Sequence, residues 1–206
     1  MSNAIRIHRH PLSGHAHRVE LFASLAGINA ELIDIDLASG EHKKPAFLEL
    51  NPFGQVPTIE DGDIVLSDSN AILIYLARKY APEWYGKDAL REAEIQRFLS
   101  LAAGDIAFGP AAARLVNVFG ASLDKDRAKA VAERVFDRLE EHLHGRQWLV
   151  GDAPTIADIA IYSYTAKAPE GDISLAPYPN ILRLLENVEG LPGFKPMTDT
   201  KVGLAA

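Results

Sequence analysis

The sequence predicts a chain in two parts, a mixed α/β half followed by an all-α half. Three observations carry this. Apolar and polar residues alternate at Ile5–Ile7 and again at Ile33–Leu37, on either side of a stretch with helical spacing. Asp61-Gly62, a strong hairpin signal, lies between two further short runs. From Lys87 onward, apolar residues recur at three- and four-residue intervals. A switch of this kind argues for two packed domains. The expected boundaries are 1–80 for the α/β domain, 81–88 for a linker carrying Pro82 and Gly86, and 89–206 for the helical domain.

In chain order, Pro11, Ser13 and Gly14 end the first strand, and Val19, Phe22, Ala23 and Ala26 mark a helix that Gly27 stops. Ile33, Ile35 and Leu37 alternate with Asp34 and Asp36 as a second strand. A short βαβ unit is expected to be parallel, with a right-handed crossover. Ser39 to Pro45 is polar and turn-rich, and Pro45 opens a short helix to Leu50. Asn51-Pro52-Phe53-Gly54 breaks again. Pro57–Glu60 and Asp63–Leu66 form the hairpin, and Ser67-Asp68-Ser69 precedes an amphipathic helix through Leu73, Leu76 and Tyr80. In the second half, four helices are marked by Ile95/Phe98/Leu99, Val131/Val135/Leu139, Ile156/Ile159/Ala160 and Ile181/Leu184/Leu185, with Gly190 as a stop.

Composition narrows the chemistry. The 206 residues are 48% hydrophobic and 24% charged, ordinary for a globular chain with a core. No apolar run approaches the length expected of a membrane span, and Met1–Arg9 has no apolar h-region, so a cytoplasmic location is the default expectation. The formal charge of −7, with no Lys/Arg block, disfavours nucleic acid as a partner. There is no cysteine, which removes a disulfide framework and any protein-thiol nucleophile. Thiol chemistry would need a thiol brought by a ligand. His8, His10, His15, His17 and His42 raise the question of a metal, but His15 and His17 diverge on a helix and no carboxylate at clear spacing completes a set.

His10-Pro11-Leu12-Ser13-Gly14 resembles the first strand-to-helix turn of serine-type glutathione transferases. Gly40 to Pro45 and Asn51-Pro52-Phe53-Gly54-Gln55-Val56-Pro57 resemble the phi class, and Asp68-Ser69-Asn70-Ala71-Ile72 fits the same domain. Trp148 to Asp152 and Thr155 to Asp158 are similar to the family's final segment. The resemblance, to a phi/theta-like bacterial member of the cytosolic glutathione transferases, covers nearly the whole chain. It implies a thioredoxin-like N-terminal domain that binds glutathione, an all-helical C-terminal domain that carries the electrophile pocket, and a homodimer.

By this resemblance Ser13 donates to the glutathione sulfur; by residue type alone it is a helix cap. The first tyrosine is Tyr75, inside a helix, so a tyrosine-type site is excluded. The thiol needs such help: its pKa is about 8.5 free, and a lowering by two units takes about 2.7 kcal/mol. Pro57 is implied to be cis, with Val56 exchanging backbone hydrogen bonds with the cysteinyl unit; read alone, it is a trans proline opening a strand. Asp68 is implied to pair with the γ-glutamyl ammonium and Ser69 to hold its carboxylate, or both simply cap the helix. His42 and Lys43 are implied at the glycine carboxylate, with Lys44 as the alternative, and Gln55 on the backbone. Leu12, His15, Phe108 and Arg114 are the expected lining of the electrophile pocket, and His10 or His15 is a candidate second group at the thiol. Thr155–Asp158 reads as a capping box with aspartate in place of Glu or Gln, a structural device. Conjugation to a hydrophobic electrophile without a metal is the implied reaction. The rivals are a non-catalytic ligand carrier and a glutathione-dependent peroxidase or isomerase.

Overall fold

The computed structural model describes residues 4–206. They form two compact units. One holds the residues up to Pro82 together with Pro192–Thr198; the other holds Glu83–Leu191 and Asp199–Ala206.

The first unit contains β1 (Ile5–Arg9), α1 (Gly14–Leu25), β2 (Ala30–Asp34), α2 (Pro45–Leu50), β3 (Thr58–Asp61), β4 (Ile64–Ser67) and α3 (Ser69–Tyr80). The sheet order is β2-β1-β3-β4, with β1 parallel to β2 and antiparallel to β3, and β3 antiparallel to β4. Alternation along β1 separates two faces. His8 packs edge-on against Phe47 of α2, ring centroids 6.1 Å apart. Ile5 and Ile7 lie one residue out of phase and are buried on the opposite face. Val19 and Phe22 of α1 and Ile72, Leu73 and Leu76 of α3 are buried with them, and α1 packs on both β1 and α3.

Two details differ from the sequence expectation. The second strand lies at Ala30–Asp34, not Ile33–Leu37. Its ladder continues only through the Ile35 N–H to the Arg9 carbonyl, 2.7 Å. Beyond it, Asp36 accepts from the Ser39 N–H at 3.0 Å and turns the chain. The segment Pro192–Thr198, expected with the helical half, belongs to the first unit. Ser24 Oγ donates to the Gly193 carbonyl at 2.7 Å, and His17 Nε2 lies 2.9 Å from the Lys195 carbonyl. Gly193 has φ +87, and a Cβ there would stand 2.9 Å from the Ser24 carbonyl, so a side chain would prevent this close approach.

The second unit contains α4 (Ala89–Ala103), α5 (Ala112–Phe119), α6 (Lys125–His142), α7 (Ile156–Ala166) and α8 (Pro179–Glu189). The spacing does not reveal α5, because Gly109-Pro110 reads as a break. Helix runs through it as a π-turn, Ala107–Ala111 with Pro110 inside, a wider loop of backbone that accommodates the missing N–H. A Cβ on Gly109 would stand 2.9 Å from the backbone nitrogen of Ala132, so glycine permits close packing against α6. The joined run Ala89–Phe119 is long and apolar enough to pass as a membrane span, with mean hydropathy 1.2 in its most apolar stretch, contrary to the expectation from sequence. Half of that stretch is buried in the structure, as in a core helix.

α7 is buried along nearly its whole length, as expected of a central helix apolar all round. Its start is held by Asp158, which is wholly buried. The carboxylate accepts from the N–H groups of Leu149 and Thr155, each at 2.8 Å, and from the Thr155 hydroxyl at 3.2 Å. Burial pushes this carboxyl up to about 6, while the three donors pull it down. At neutral pH it is ionised and fully bonded.

Asp158→Ala should therefore destabilise the protein by about 2–4 kcal/mol, since two buried N–H groups lose their acceptor at once. Urea unfolding read by circular dichroism measures this. A loss below about 1 kcal/mol would show that the segment from Leu149 to Thr155 finds other partners.

Candidate functional site

The sheet register determines which loops meet. β1 pairs His8 with Thr58 of β3, and Thr58 pairs with Ser67 of β4. The end of β1, the start of β3 and the end of β4 therefore share one edge. β2 runs parallel to β1 and ends beside Arg9, at the same edge. Four segments follow from this: the turn His10–Ser13, the 3₁₀ turn Glu41–Lys43, the loop Asn51–Pro57, and Ser67–Ser69 at the head of α3. Ser13, His42, Lys43, Gln55, Val56, Pro57, Asp68 and Ser69 lie in these segments.

Ser13 is the N-cap of α1. Its hydroxyl oxygen accepts from the Ala16 N–H at 3.3 Å, which leaves the hydroxyl hydrogen available to donate. The turn is closed by the Ser13 N–H on the His10 carbonyl, 2.9 Å. The Leu12 N–H meets His10 Nδ1 at 3.3 Å, so Nδ1 is the acceptor and Nε2 carries the proton in the neutral ring. No acidic side chain occupies the first turn of α1, so the partial positive charge of that helix start faces this edge without a counter-ion in its first turn.

Asp68 caps α3. Its Oδ1 accepts from the N–H groups of Asn70 and Ala71, 3.0 and 2.9 Å. Its backbone has φ 70 and ψ 118, outside the left-handed helical region, a conformation that costs a non-glycine residue about 1–3 kcal/mol. Strain of this kind concentrates at ligand sites. Behind the cap, buried Arg18 donates to Ser69 Oγ at 3.0 Å and Asn70 Oδ1 at 2.9 Å, fastening the two helix starts together.

The Val56-Pro57 peptide bond is cis. The loop before it is organised from within by buried Asn51. Its Nδ2 donates to the Gln55 carbonyl at 2.8 Å, and its Oδ1 accepts from the Phe53 N–H at 3.1 Å. Sequence reasoning treated Asn51 only as a breaker; its signal was the Asn-Pro pair, which favours side-chain-to-backbone turns. Lys43 is not merely solvated. Its ammonium donates to the carbonyls of Phe53 and Gly54, 3.2 and 2.9 Å. Gly54 has φ +58, and a Cβ there would stand 2.7 Å from the His42 carbonyl, so glycine lets the two segments touch. His42 is half-buried and Gln55 exposed.

The expected pocket residues fare differently. Leu12 and His15 lie at the head of α1, both half-buried. Phe108 is 69% exposed on the π-turn of the helical unit. Arg114 is a correction: it is 1% exposed, and its Nε donates to Glu170 Oε2 at 2.5 Å inside the helical unit. A guanidinium buried against a carboxylate is a core ion pair and does not line a pocket. Among the described residues, no three His, Asp or Glu side chains converge as metal ligands.

Residues 5–78 match the glutathione S-transferase N-terminal domain family, and residues 105–192 match its C-terminal domain family. Glutathione S-transferase 3 of Zea mays is 33% identical, covering 93% of this chain and 91% of its own. A crystal structure of a glutathione S-transferase from Xanthobacter autotrophicus Py2 is 31% identical with TM-score 0.85, covering 94% of this chain and 97% of that one. A glutathione S-transferase from Pseudomonas fluorescens superposes with TM-score 0.88 at 27% identity, covering 96% of this chain and 100% of that one.

One residue at the site reports on protons. Burial, and next the Arg18 cation, lower the His15 pKa from 6.5 to about 3. The ring is neutral near pH 7 and adds no charge to the site. Between those values the unfolded chain binds a proton that the native state refuses, so the stability is complete above pH 6.5 and lost as pH falls toward 3. His15→Gln should flatten the acid limb of stability against pH by up to ~1.4 kcal/mol per unit, the slope of one proton. Urea titrations of both proteins across the acid range measure it. Parallel curves would mean that His15 keeps its ordinary pKa.

Proposed function

Because the chain belongs to the glutathione S-transferase family, we propose that it conjugates glutathione to a hydrophobic electrophile and that Ser13 stabilises the thiolate. The observation that carries this is the convergence, at one sheet edge, of a serine-capped helix start, a cis Val56-Pro57 bond and an aspartate-capped helix start. These three meet the cysteinyl thiol, the cysteinyl backbone and the γ-glutamyl end of the tripeptide. The Ser13 hydroxyl, whose oxygen is already engaged by Ala16, donates its hydrogen to the sulfur, and the α1 terminus adds positive potential. Val56 offers its N–H and carbonyl to the cysteinyl backbone, as an added strand does. Asp68 Oδ2, not used in the cap, takes the γ-glutamyl ammonium. Ser69, at the first position of α3, takes the γ-glutamyl carboxylate.

Gln55 and His42 flank the glycine end. Lys43 has two of its three ammonium hydrogens on carbonyls, which leaves one for the glycine carboxylate. With glutathione held, the thiolate attacks an electrophilic carbon and a carbon–sulfur bond forms. The leaving group departs with its electron pair, and the thiol proton passes to solvent. Serine and helix terminus act by stabilising charge and by positioning. Leu12, at the head of α1, is a proposed contact of the electrophile. No metal takes part in this mechanism.

The same reading includes a cytoplasmic homodimer. Phe53, Ile64 and Val65 are exposed apolar side chains on the first unit, which supports an interface there. Sedimentation equilibrium should then return twice the chain mass of 22.4 kDa; a single chain mass at micromolar concentration refutes the dimer.

The catalytic assignment predicts turnover of 1-chloro-2,4-dinitrobenzene by the wild type. Ser13→Ala should lower kcat/KM by about a hundredfold, as removal of one oxyanion-type donor does, while glutathione binding persists. The thiol titration, followed by thiolate absorbance, should move up toward its free value. Equal turnover in both proteins removes Ser13 from the mechanism. Binding without turnover in the wild type favours a ligand carrier.

A further inference from the structure

A groove of about 460 Å³ opens on the α1 side of the first unit's sheet. Its walls are the end of α1, the turn that follows, the start of β2 and Lys195 of the tail segment. It contains none of Ser13, Val56, Pro57, Asp68 or Ser69. Leu32 of β2 is in register with buried Ile7, so its side chain stands on the face that α1 covers. Leu32 is nevertheless 36% exposed, because the cover stops short of the outermost strand.

The groove runs beside an open sheet edge. β2 is the end strand of the order β2-β1-β3-β4. The Ile5 N–H donates to the Asn29 carbonyl at 3.0 Å, and the Ile35 N–H to the Arg9 carbonyl at 2.7 Å, which turns the odd-numbered residues of this strand toward β1. By alternation the N–H and C=O groups of Ala30, Leu32 and Asp34 point outward, where no strand lies among the described residues. Edges of this kind are usually blunted by proline or by outward charge. β2 has no proline, and its two acids are already paired, Glu31 with Arg6 at 3.7 Å and Asp34 with Arg9 at 2.8 Å.

The charge in the groove is balanced except at one point. Glu20 is held by Arg9 at 2.5 Å. The Lys195 carbonyl lies 2.9 Å from His17 Nε2, which fixes its backbone. Its side chain is exposed, and the ammonium makes no hydrogen bond or ion pair among the described residues. Asn29, also exposed, adds an amide beside the first residue of β2. A strand laid antiparallel on β2 ends beside Ala30, so its terminal carboxylate comes to Lys195 and Asn29. Its last side chain enters between Ala23, Ile28 and Leu32. We propose that this edge binds the extended C-terminus of a polypeptide by strand addition, with the free carboxylate on Lys195 and a branched apolar final side chain in the groove. The binding claim does not depend on Ser13 or on turnover.

Isothermal titration calorimetry of acetyl-Thr-Val-Thr-Val-Leu, with a free carboxylate, into the 206-residue chain tests it, and amide exchange followed by NMR locates the peptide. The expected result is one peptide per chain, with slowed exchange of the Leu32 N–H and the same affinity in Ser13→Ala and under saturating glutathione. Amidation of the peptide carboxylate should weaken binding about tenfold, the difference between a charge-assisted and a neutral hydrogen bond. Lys195→Ala should weaken it about fivefold, the range of an exposed ion pair. Leu32→Pro should abolish it and leave the β1–β2 ladder in place, because the N–H it removes points outward. Circular dichroism checks the fold of that variant, and N-methylation of both valines in the peptide should abolish binding without touching the protein. Four results overturn the proposal: no binding, binding indifferent to amidation and Lys195→Ala, unchanged exchange at Leu32, or displacement by glutathione, which would put the peptide in the glutathione site.

Discussion

The β1–β3–β4 register is the constraint on which the site depends. Pairing of His8 with Thr58, and of Thr58 with Ser67, is short-range backbone hydrogen bonding that contains no functional group. Yet it fixes the direction in which each strand leaves the sheet. A slip by one residue would turn Ile5, Ile7 and Ile59, all essentially inaccessible, toward the wrong face. Burial of these residues therefore holds Ser13, Pro57 and Asp68 at a common edge. Stability of the core and geometry of the site are set by the same alternation.

Around that edge the loops are held by polar side chains that the hydrophobic pattern leaves out. Arg18 joins α1 to α3 through Ser69 and Asn70. Asn51 and Lys43 organise the loop before Val56-Pro57. These contacts are inside the first unit, with donors meeting carbonyl, amide or hydroxyl oxygens at 2.8–3.2 Å. A buried arginine and a buried asparagine are costly unless bonded. Their presence here is explained by the backbone and side-chain acceptors they meet. The glycines at 54 and 193 have a related part, since each removes a Cβ where two segments touch.

Much of this was legible in the sequence, and what was not had physical reasons. The strand–helix–strand opening and the Asp61-Gly62 turn follow from period and turn chemistry, and the structure has them, with β2 displaced toward Ala30. α5 was hidden because Pro110 ordinarily ends a helix and a π-turn leaves no periodic trace. Arg114 was misread because helix phase around that π-turn cannot be extrapolated; its guanidinium turns inward to Glu170. The tail segment Pro192–Thr198 was misassigned because its docking rests on backbone carbonyls meeting Ser24 and His17. Backbone carbonyls have no residue signature. The strained backbone of Asp68 also carries none, since aspartate before Ser-Asn reads as an ordinary cap.

The two helix caps at the edge differ in charge, and in the proposed binding mode the difference separates the thiol from the γ-glutamyl end of the ligand. Aspartate is as good an N-cap as serine, so capping alone does not decide between them. At α1 a carboxylate would stand where the thiolate forms and would repel it. It would also accept hydrogen bonds without giving one. Serine accepts from Ala16 with its oxygen and retains a hydrogen to donate, so cap and proposed thiolate donor coexist in one group. At α3 the ligand presents an ammonium beside a carboxylate. Asp68 spends one oxygen on the helix and, in the proposed mode, offers the other to the cation, and Ser69 beside it carries no charge against the anion. Exchanging the two caps would keep a capping side chain at both helices and reverse the electrostatics at the proposed thiol and γ-glutamyl positions. That separation of capping from charge is the physical reason to read these residues as a binding site as well as helix caps.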